Sequence, residues 1–114
     1  MVKVAEYVPE RGDIVWIDFS PHRGHEQAHR RPAIVLSSKI YNRKSGMMVA
    51  CPITSKKKHY PFEVELKTAK LDGVVLVDQI RSFDWYARKV VFLESISPVL
   101  VTEVQEQIMQ LIKG

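Results

Sequence analysis

The residues best suited to chemistry lie between positions 20 and 31, which read Ser-Pro-His-Arg-Gly-His-Glu-Gln-Ala-His-Arg-Arg. This segment combines one carboxylate, three histidines and three arginines, and it has almost no apolar side chains. Arginine and histidine side chains hold phosphate oxygens and transfer protons. A connection this long in a small domain often carries a function, although a solvated loop can have the same composition. We therefore expect a phosphate-handling site in this segment.

Part of the segment also matches a zinc-binding pattern. His25-Glu26-Gln27-Ala28-His29 fits H-E-x-x-H, in which two histidines one helical turn apart bind zinc and the glutamate acts as a base. That pattern requires a long amphipathic helix, whereas Gly24 precedes these residues and Arg30-Arg31-Pro32 follows them. No apolar stripe flanks the match and no third ligand follows at a familiar spacing. We therefore expect neither a metal ion nor another cofactor.

Length, charge and cysteine content limit the class of protein. The chain has 114 residues, 46% of them hydrophobic, and this size predicts one domain spanning 1–114. Its single cysteine, Cys51, excludes an internal disulfide and a multi-cysteine zinc site, and it fits a reducing compartment. Residues 1–12 lack the apolar run of a secretory signal, and the longest apolar runs, about five residues, are too short to span a membrane. These features predict a cytoplasmic protein.

The formal net charge of +4 is unevenly distributed along the chain. Residues 20–58 hold nine Lys and Arg but one acidic residue, Glu26, so this span favours an anionic partner. Within it, Lys56-Lys57-Lys58 precedes His59-Tyr60, and cations beside an aromatic ring are typical of surfaces that bind single-stranded nucleic acid. A solvated hairpin tip is the alternative interpretation of the lysine run.

Short runs of Val, Ile and Phe between polar turns predict a β-rich domain. The predicted strands are 12–19, 32–37, 47–54, 61–66, 74–80 and 88–93. Turns are expected at Asn42–Gly46 and at Asp72-Gly73. Apolar residues recur every three or four positions over 98–113, behind a Ser97-Pro98 start signal, which predicts a C-terminal amphipathic helix. Because exposed sheet edges must be closed or covered, we expect a compact barrel or half-barrel.

Several motifs in a fixed order resemble one known family. They are Tyr7-Val8-Pro9, Gly12-Asp13-Ile14-Val15-Trp16-Ile17-Asp18-Phe19, Gly24-His25-Glu26-Gln27, Arg31-Pro32-Ala33-Ile34-Val35-Leu36-Ser37, Pro52-Ile53-Thr54-Ser55, Tyr60-Pro61-Phe62-Glu63-Val64, Asp72-Gly73-Val74 and Asp78-Gln79-Ile80-Arg81-Ser82. Together they resemble the MazF/PemK/ChpB endoribonuclease toxins of bacterial toxin–antitoxin pairs. The resemblance implies a mainly β fold, an SH3-like small barrel with a C-terminal amphipathic helix and short helical turns.

The same resemblance implies an activity and partners. It implies a homodimer that cuts single-stranded messenger RNA at a short sequence, without metal and without the ribosome. The 2′-hydroxyl would attack the phosphate, leaving 2′,3′-cyclic phosphate and 5′-hydroxyl ends. A cognate antitoxin protein would block the RNA groove, and the basic span predicts that its inhibitory segment is acidic.

Three residues are assigned catalytic roles. Arg31 is the best phosphate-binding candidate, because its guanidinium fork suits phosphate oxygens and stays charged, and it occupies the position of the family's essential arginine. Thr54, at a predicted strand end, offers a hydroxyl where the family's catalytic threonine falls. Glu26 fills the position of the family's G-x-E-Q glutamate. It is either the general base or a residue that orients Arg31, since an ordinary glutamate is a weak base at neutral pH.

Further residues are expected to contact RNA. They are Ser55, Lys56, Lys57, His25, His29, Arg30 and Gln79. The roles of the two histidines stay open, because the chain departs from the family's usual residues around them. Tyr41 and Asn42 are additional candidates to contact base edges, whereas Trp16, Phe62 and Cys51 are expected in the core.

Two other functions are compatible with a small barrel of this kind. One is a related toxin type that poisons DNA gyrase by binding alone, and the other is an RNA-binding module without catalysis. Neither needs the set of Arg31, Glu26 and Thr54. This set therefore favours the endoribonuclease interpretation.

Overall fold

The computed structural model of the chain describes residues 7–19 and 30–114. Along these residues seven strands, two α-helices and one short 3₁₀ helix follow one another. The strands are β1 (Asp13–Asp18), β2 (Arg30–Val35), β3 (Met47–Thr54), β4 (Glu63–Lys67), β5 (Asp72–Leu76), β6 (Arg81–Asp84) and β7 (Val91–Ser95). The helices are α1 (Lys39–Ser45) and α2 (Pro98–Lys113), with the 3₁₀ helix at Val77–Gln79.

The strands form one curled antiparallel sheet in the order β4-β5-β3-β2-β1-β7. The longest strand, β3, belongs to both halves of the curl: its first half pairs with β6, while Ile53 and Thr54 at its end pair with β5. The helix α2 packs against the sheet through Val104 and Ile108. This arrangement confirms the predicted β-rich half-barrel with a C-terminal helix.

Alternation along the central strands gives the sheet two buried apolar faces. Ile34 and Cys51 point to the face that packs against α2. Val35, Met48 and Phe83 point to the opposite face and form a second cluster. All five side chains are at most 1% exposed. The central strands are therefore held from both sides, which makes them a rigid base for the residues at their ends.

Cys51 confirms the expectation of a buried, unreactive thiol. Its side chain is fully buried, and its Sγ lies 3.9 Å from the carbonyl oxygen of Val77, to which the thiol donates. Burial raises the pKa of Cys51 to about 12, because the thiolate would lose its hydration. No helix in the described ranges is long and apolar enough to cross a membrane.

The predicted turn at Asn42–Gly46 is wrong, because helix α1 occupies this position. Ser38 caps the helix by accepting a hydrogen bond from the backbone N–H of Tyr41 at 3.2 Å. Gly46 ends it with a left-handed φ of 73°. Gly46 therefore marks the end of a helix and not a turn.

The predicted turn at Asp72-Gly73 is also wrong, since both residues lie inside β5. The chain reverses just before them, where the Thr68 N–H donates to the carbonyl of Leu71 at 2.8 Å. Gly73 lies so close to β3 that a Cβ atom would stand 2.4 Å from the Thr54 carbonyl oxygen. This glycine is needed for a close strand contact, not for a turn.

Other strand boundaries differ from the prediction by a few residues. Strand β2 begins at Arg30, so two arginines assigned to the preceding connection are strand residues. The run predicted as one strand over 74–80 ends at Leu76 and continues as the 3₁₀ helix. The strand β6 was not predicted, and β7 replaces the strand predicted over 88–93. The predicted bounds of β3 and α2 are confirmed.

Replacing Gly73 by alanine should destabilise the sheet where β3 meets β5. We expect the free energy of unfolding to fall by about 1–3 kcal/mol, because the new methyl group collides with the Thr54 carbonyl. Denaturant unfolding measures the loss, and amide hydrogen exchange at Ile53 and Val75 should become faster. Gly46→Ala is the control: it strains α1 without a collision and should leave exchange at those two amides unchanged. Unaltered stability of Gly73→Ala would contradict the close contact.

Candidate active site

The pairing of β2 with β3 brings Arg31 and Thr54 together. The paired residues include Ala33 with Pro52 and Val35 with Ala50. Arg31 and Thr54 each lie two residues beyond the Ala33–Pro52 pair, at the end of β3 that also pairs with β5. Both side chains line the same two surface hollows. The two side chains can therefore act on one group.

Two open hollows meet at this pair, one of about 340 Å³ and one of about 420 Å³. Arg31, Thr54 and Lys56 line both of them. The first hollow is completed by Lys58, Tyr60, Glu63, Leu76, Asp78 and Gln79. The second is completed by Trp16, Pro32, Ile53, Ser55, Leu71 and Asp72. Two cations and a hydroxyl thus stand at the border between two depressions.

Hydrogen bonds fix the lysine-rich loop between β3 and β4, residues 55–62, at several points. The Lys56 N–H donates to the Thr54 hydroxyl oxygen at 3.2 Å. The Lys58 N–H donates to the Glu63 carboxylate, 3.1 and 3.2 Å from its two oxygens. Within this loop His59 adopts a left-handed φ of 56°. The loop therefore has a defined conformation that presents its cations to the hollows.

Tyr60 and Asp78, which both line the first hollow, are joined by a hydrogen bond. The Tyr60 hydroxyl donates to Asp78 at 2.7 Å, and its ring meets Phe62 edge-on with centroids 5.7 Å apart. The hydrogen bond to Asp78 is the main reason that the pKa of Tyr60 lies above its ordinary value. Phe62 itself is half-buried and packs against the core, which confirms its prediction.

Trp16 corrects the expectation that it belongs to the core. Its ring is half-buried, lines the second hollow and lies beneath the Arg30 guanidinium, 5.9 Å from the ring centroid. This cation–π contact holds Arg30 beside the hollow. Sequence patterning missed the role because Trp16 stands in an apolar strand whose neighbours are fully buried.

The predicted RNA-contacting residues are distributed around this centre. Ser55 lines the second hollow and Gln79 the first. Lys57 instead forms ion pairs with two carboxylates: Asp72, which lines the second hollow, at 3.0 Å, and Glu65 at 3.5 Å. The hydrogen bond that Lys57 donates to Asp72 raises the pKa of Lys57 and lowers the pKa of Asp72.

Three of the predicted residues, Glu26, His25 and His29, lie outside the described residues. Among the part of the chain that the structure does describe, no three His, Cys, Asp or Glu side chains are grouped as metal ligands. The proposal that Asn42 contacts a base is wrong: it is fully buried and donates to the Pro9 carbonyl at 2.8 Å. Tyr41 is exposed on α1.

Sequence reasoning missed the carboxylates of the site. Glu63, Asp72 and Asp78 all line a hollow, and each accepts a hydrogen bond from the lysine-rich loop. Glu63, Asp72 and Asp78 all stand within motifs that carry the family resemblance, which was the available signal. Lys58 was noted only as part of the lysine run, yet it lines the first hollow.

The arrangement is suited to a phosphodiester flanked by two nucleotides. The Arg31 guanidinium can take two phosphate oxygens, and the Thr54 hydroxyl can donate to a third polar atom beside it. Fixed donors of this kind stabilise the additional negative charge of a pentacoordinate phosphorus transition state. The two hollows provide room for the nucleotides on either side, with Tyr60 and Trp16 as aromatic walls.

Comparison with known proteins gives consistent matches. Residues 10–112 match the family model described as PemK-like, MazF-like toxin of type II toxin–antitoxin system. The endoribonuclease toxin MazF of Escherichia coli K12 is 52% identical over 85 residues, covering 75% of this chain and 77% of that protein. The crystal structure of MazF from Deinococcus radiodurans is 44% identical with a TM-score of 0.85, covering 96% of this chain and all of that one. A MazE–MazF crystal structure from the same organism is 40% identical with a TM-score of 0.84, covering 95% and 98%.

Replacing Asp78 by asparagine should lower the pKa of Tyr60 towards the ordinary tyrosine value of about 10. The hydrogen bond that Tyr60 donates to the Asp78 carboxylate, and then the carboxylate's charge, oppose formation of the phenolate; asparagine weakens the hydrogen bond and removes the charge. Because the folded-state pKa is raised, the stabilisation by this pair is complete below the unfolded-state pKa and is lost as pH rises through the folded-state value. An NMR titration of the Tyr60 ring carbons, assigned with Tyr60→Phe, measures the shift. Identical titration curves for Asp78→Asn and wild type would contradict the assigned cause.

Proposed function

Because this chain belongs to the PemK-like, MazF-like toxin family of type II toxin–antitoxin systems, we propose that it is an endoribonuclease toxin that cleaves single-stranded RNA. The relative from Escherichia coli that is 52% identical is an endoribonuclease toxin. The single observation that carries the proposal is the placement of Arg31 and Thr54 at the border of two hollows. A bound phosphate there has one nucleotide on each side, as cleavage within a strand requires.

The chemistry uses the substrate's own 2′-hydroxyl. This oxygen loses its proton, bonds to phosphorus and displaces the 5′-oxygen of the next nucleotide, which takes up a proton. The products are a 2′,3′-cyclic phosphate and a 5′-hydroxyl. Arg31 holds the phosphate oxygens and stabilises their increased charge, while Thr54 donates its hydroxyl to the same group.

Glu26 is the candidate to remove the 2′-proton or to orient Arg31. If it is the base, Glu26→Gln should abolish most of the rate and also remove the acid limb of the pH–rate profile. If it orients Arg31, part of the rate and the shape of the profile should persist. Single-turnover cleavage measured across a range of pH values distinguishes the two roles, and a variant with unchanged rate and profile would contradict both.

RNA contacts outside the catalytic pair come from both sides of the hollows. Lys56 and Lys58 supply positive charge along the backbone path, and Tyr60 and Trp16 supply surfaces on which bases stack. The remaining proposed contacts are Ser55, Arg30, Gln79, His25 and His29. Binding is therefore expected to weaken as salt concentration rises.

The proposal includes the cellular setting of the toxin. The whole chain, 1–114, acts as one toxin domain in the cytoplasm and forms a homodimer. A cognate antitoxin inhibits it, as the MazE–MazF structures of a relative support. An acidic antitoxin segment would be complementary to the cations around the two hollows and would compete with RNA there.

Substitutions at the catalytic pair test the proposal. With EDTA present, Arg31→Lys should lower kcat/KM for a long defined RNA by about 10²–10³-fold, because lysine keeps the charge but loses the guanidinium fork. Thr54→Val removes the hydroxyl at nearly constant shape and should also slow cleavage. Arg43→Lys is the matched control, since Arg43 is exposed on α1 and should tolerate the change without loss of rate.

Mapping the ends of the fragments tests the chemistry itself. Cuts should fall at a short preferred sequence and carry 2′,3′-cyclic phosphate and 5′-hydroxyl ends. RNA left intact by the wild-type protein in EDTA would favour a binding toxin or an RNA-binding module instead. Fragments with 3′-hydroxyl ends would contradict attack by the 2′-oxygen.

A further inference from the structure

The three consecutive lysines of the β3–β4 loop do not point the same way. Lys56 and Lys58 line the first hollow. The ammonium group of Lys57 instead lies 3.0 Å from Asp72, which lines the second hollow, and 3.5 Å from Glu65. The lysine run is therefore divided between the first hollow and a carboxylate of the second. Lys57 therefore has partners of its own before any RNA arrives.

The partner Asp72 stands where a carboxylate would oppose RNA binding. It lines the second hollow together with Arg31, Thr54 and Lys56. An unpaired carboxylate that lines the same hollow as Arg31 would oppose binding of a phosphate there, because like charges repel. With Lys57 at 3.0 Å, its charge is largely balanced.

The Lys57 side chain is the least exposed of the three residues in these ion pairs. It is 32% exposed, against 57% for Asp72 and 82% for Glu65. Its ion pairs join the loop that carries Lys56 and Lys58 to the hairpin of β4 and β5. Neutralisation of Asp72 is the part of this contact that bears on RNA bound in the second hollow.

We propose that Lys57 is a positioning residue, not an RNA contact: its ion pair with Asp72 neutralises the carboxylate in the second hollow. This inference rests on the proposed function, since it takes the second hollow as part of the RNA path. It replaces the expectation that Lys57 binds phosphate. Because an exposed ion pair contributes little to the stability of a fold, we expect substitutions of this pair to change RNA binding and to leave stability nearly unchanged.

A double-substitution cycle tests the inference. The probe is a short fluorescein-labelled 2′-O-methyl RNA of mixed sequence, which lacks the attacking hydroxyl, and binding is followed by fluorescence anisotropy over a range of salt concentrations. Lys57→Gln should weaken binding by about 3–5-fold, the size expected for an exposed charge pair. Asp72→Asn should bind at least as tightly as wild type. The double variant should recover most of the affinity lost in Lys57→Gln, because no unpaired carboxylate remains.

The salt dependence separates Lys57 from a true phosphate contact. Each phosphate contact on a single strand contributes about 0.7 to the slope of log K against log salt. Lys58→Gln, the matched control, should reduce the slope by about that amount, and Asp72→Asn should not rescue it. Lys57→Gln should leave the slope nearly unchanged. Thermal unfolding of each variant checks that the fold is retained.

Two outcomes would overturn the inference. One is a slope that falls as much in Lys57→Gln as in Lys58→Gln, and the other is a double variant as weak as Lys57→Gln alone. Either would identify Lys57 as a direct phosphate contact. Failure of the proposed function looks different: the wild-type protein would bind the probe with the expected cycle but leave unmodified RNA uncut.

Discussion

The antiparallel pairing of β2 with β3 is the constraint on which the site depends. Both strands are buried on both faces over Ala33–Val35 and Met48–Ile53, apart from the half-buried Val49. Their register cannot slip by one residue without moving apolar side chains from one core cluster to the other. Arg31 and Thr54 continue these strands beyond the core, to half-exposed or exposed positions. Packing in the core therefore fixes the relative positions of Arg31 and Thr54 at its edge.

The span of the sequence that forms the site is basic, but in the structure three carboxylates from later in the chain contact it. Glu63, Asp72 and Asp78 each bind a different residue of the lysine-rich loop, at Lys58, Lys57 and Tyr60 respectively. These contacts hold the loop in one conformation before substrate binds, so less ordering is needed on binding. Arg31, Lys56 and Lys58 line the first hollow. The excess of positive charge therefore attracts RNA, while the three carboxylates fix the loop that carries Lys56 and Lys58.

The sequence was informative wherever local pattern and long-range packing agree. The uninterrupted apolar run of β3 and the helical period of α2 predicted their bounds. The family motifs and phosphate chemistry both selected Arg31 and Thr54, which line the same two hollows; their catalytic roles stay predictions. A glycine does not reveal whether it serves a turn or a close contact, so Gly73 was misassigned. Similarly, nothing in the lysine run itself distinguishes Lys57 from its neighbours, since its carboxylate partners come from strands later in the chain.

The central claim is that the scissile phosphate binds between Arg31 and Thr54. The most direct test is a crystal structure of the protein with its preferred RNA, in which the nucleotide before the cleaved bond carries a 2′-deoxy substitution. We expect the phosphate at that bond within hydrogen-bonding distance of the Arg31 guanidinium and the Thr54 hydroxyl, with the flanking nucleotides in the two hollows. A scissile phosphate bound elsewhere on the protein, with the two hollows empty, would contradict the account.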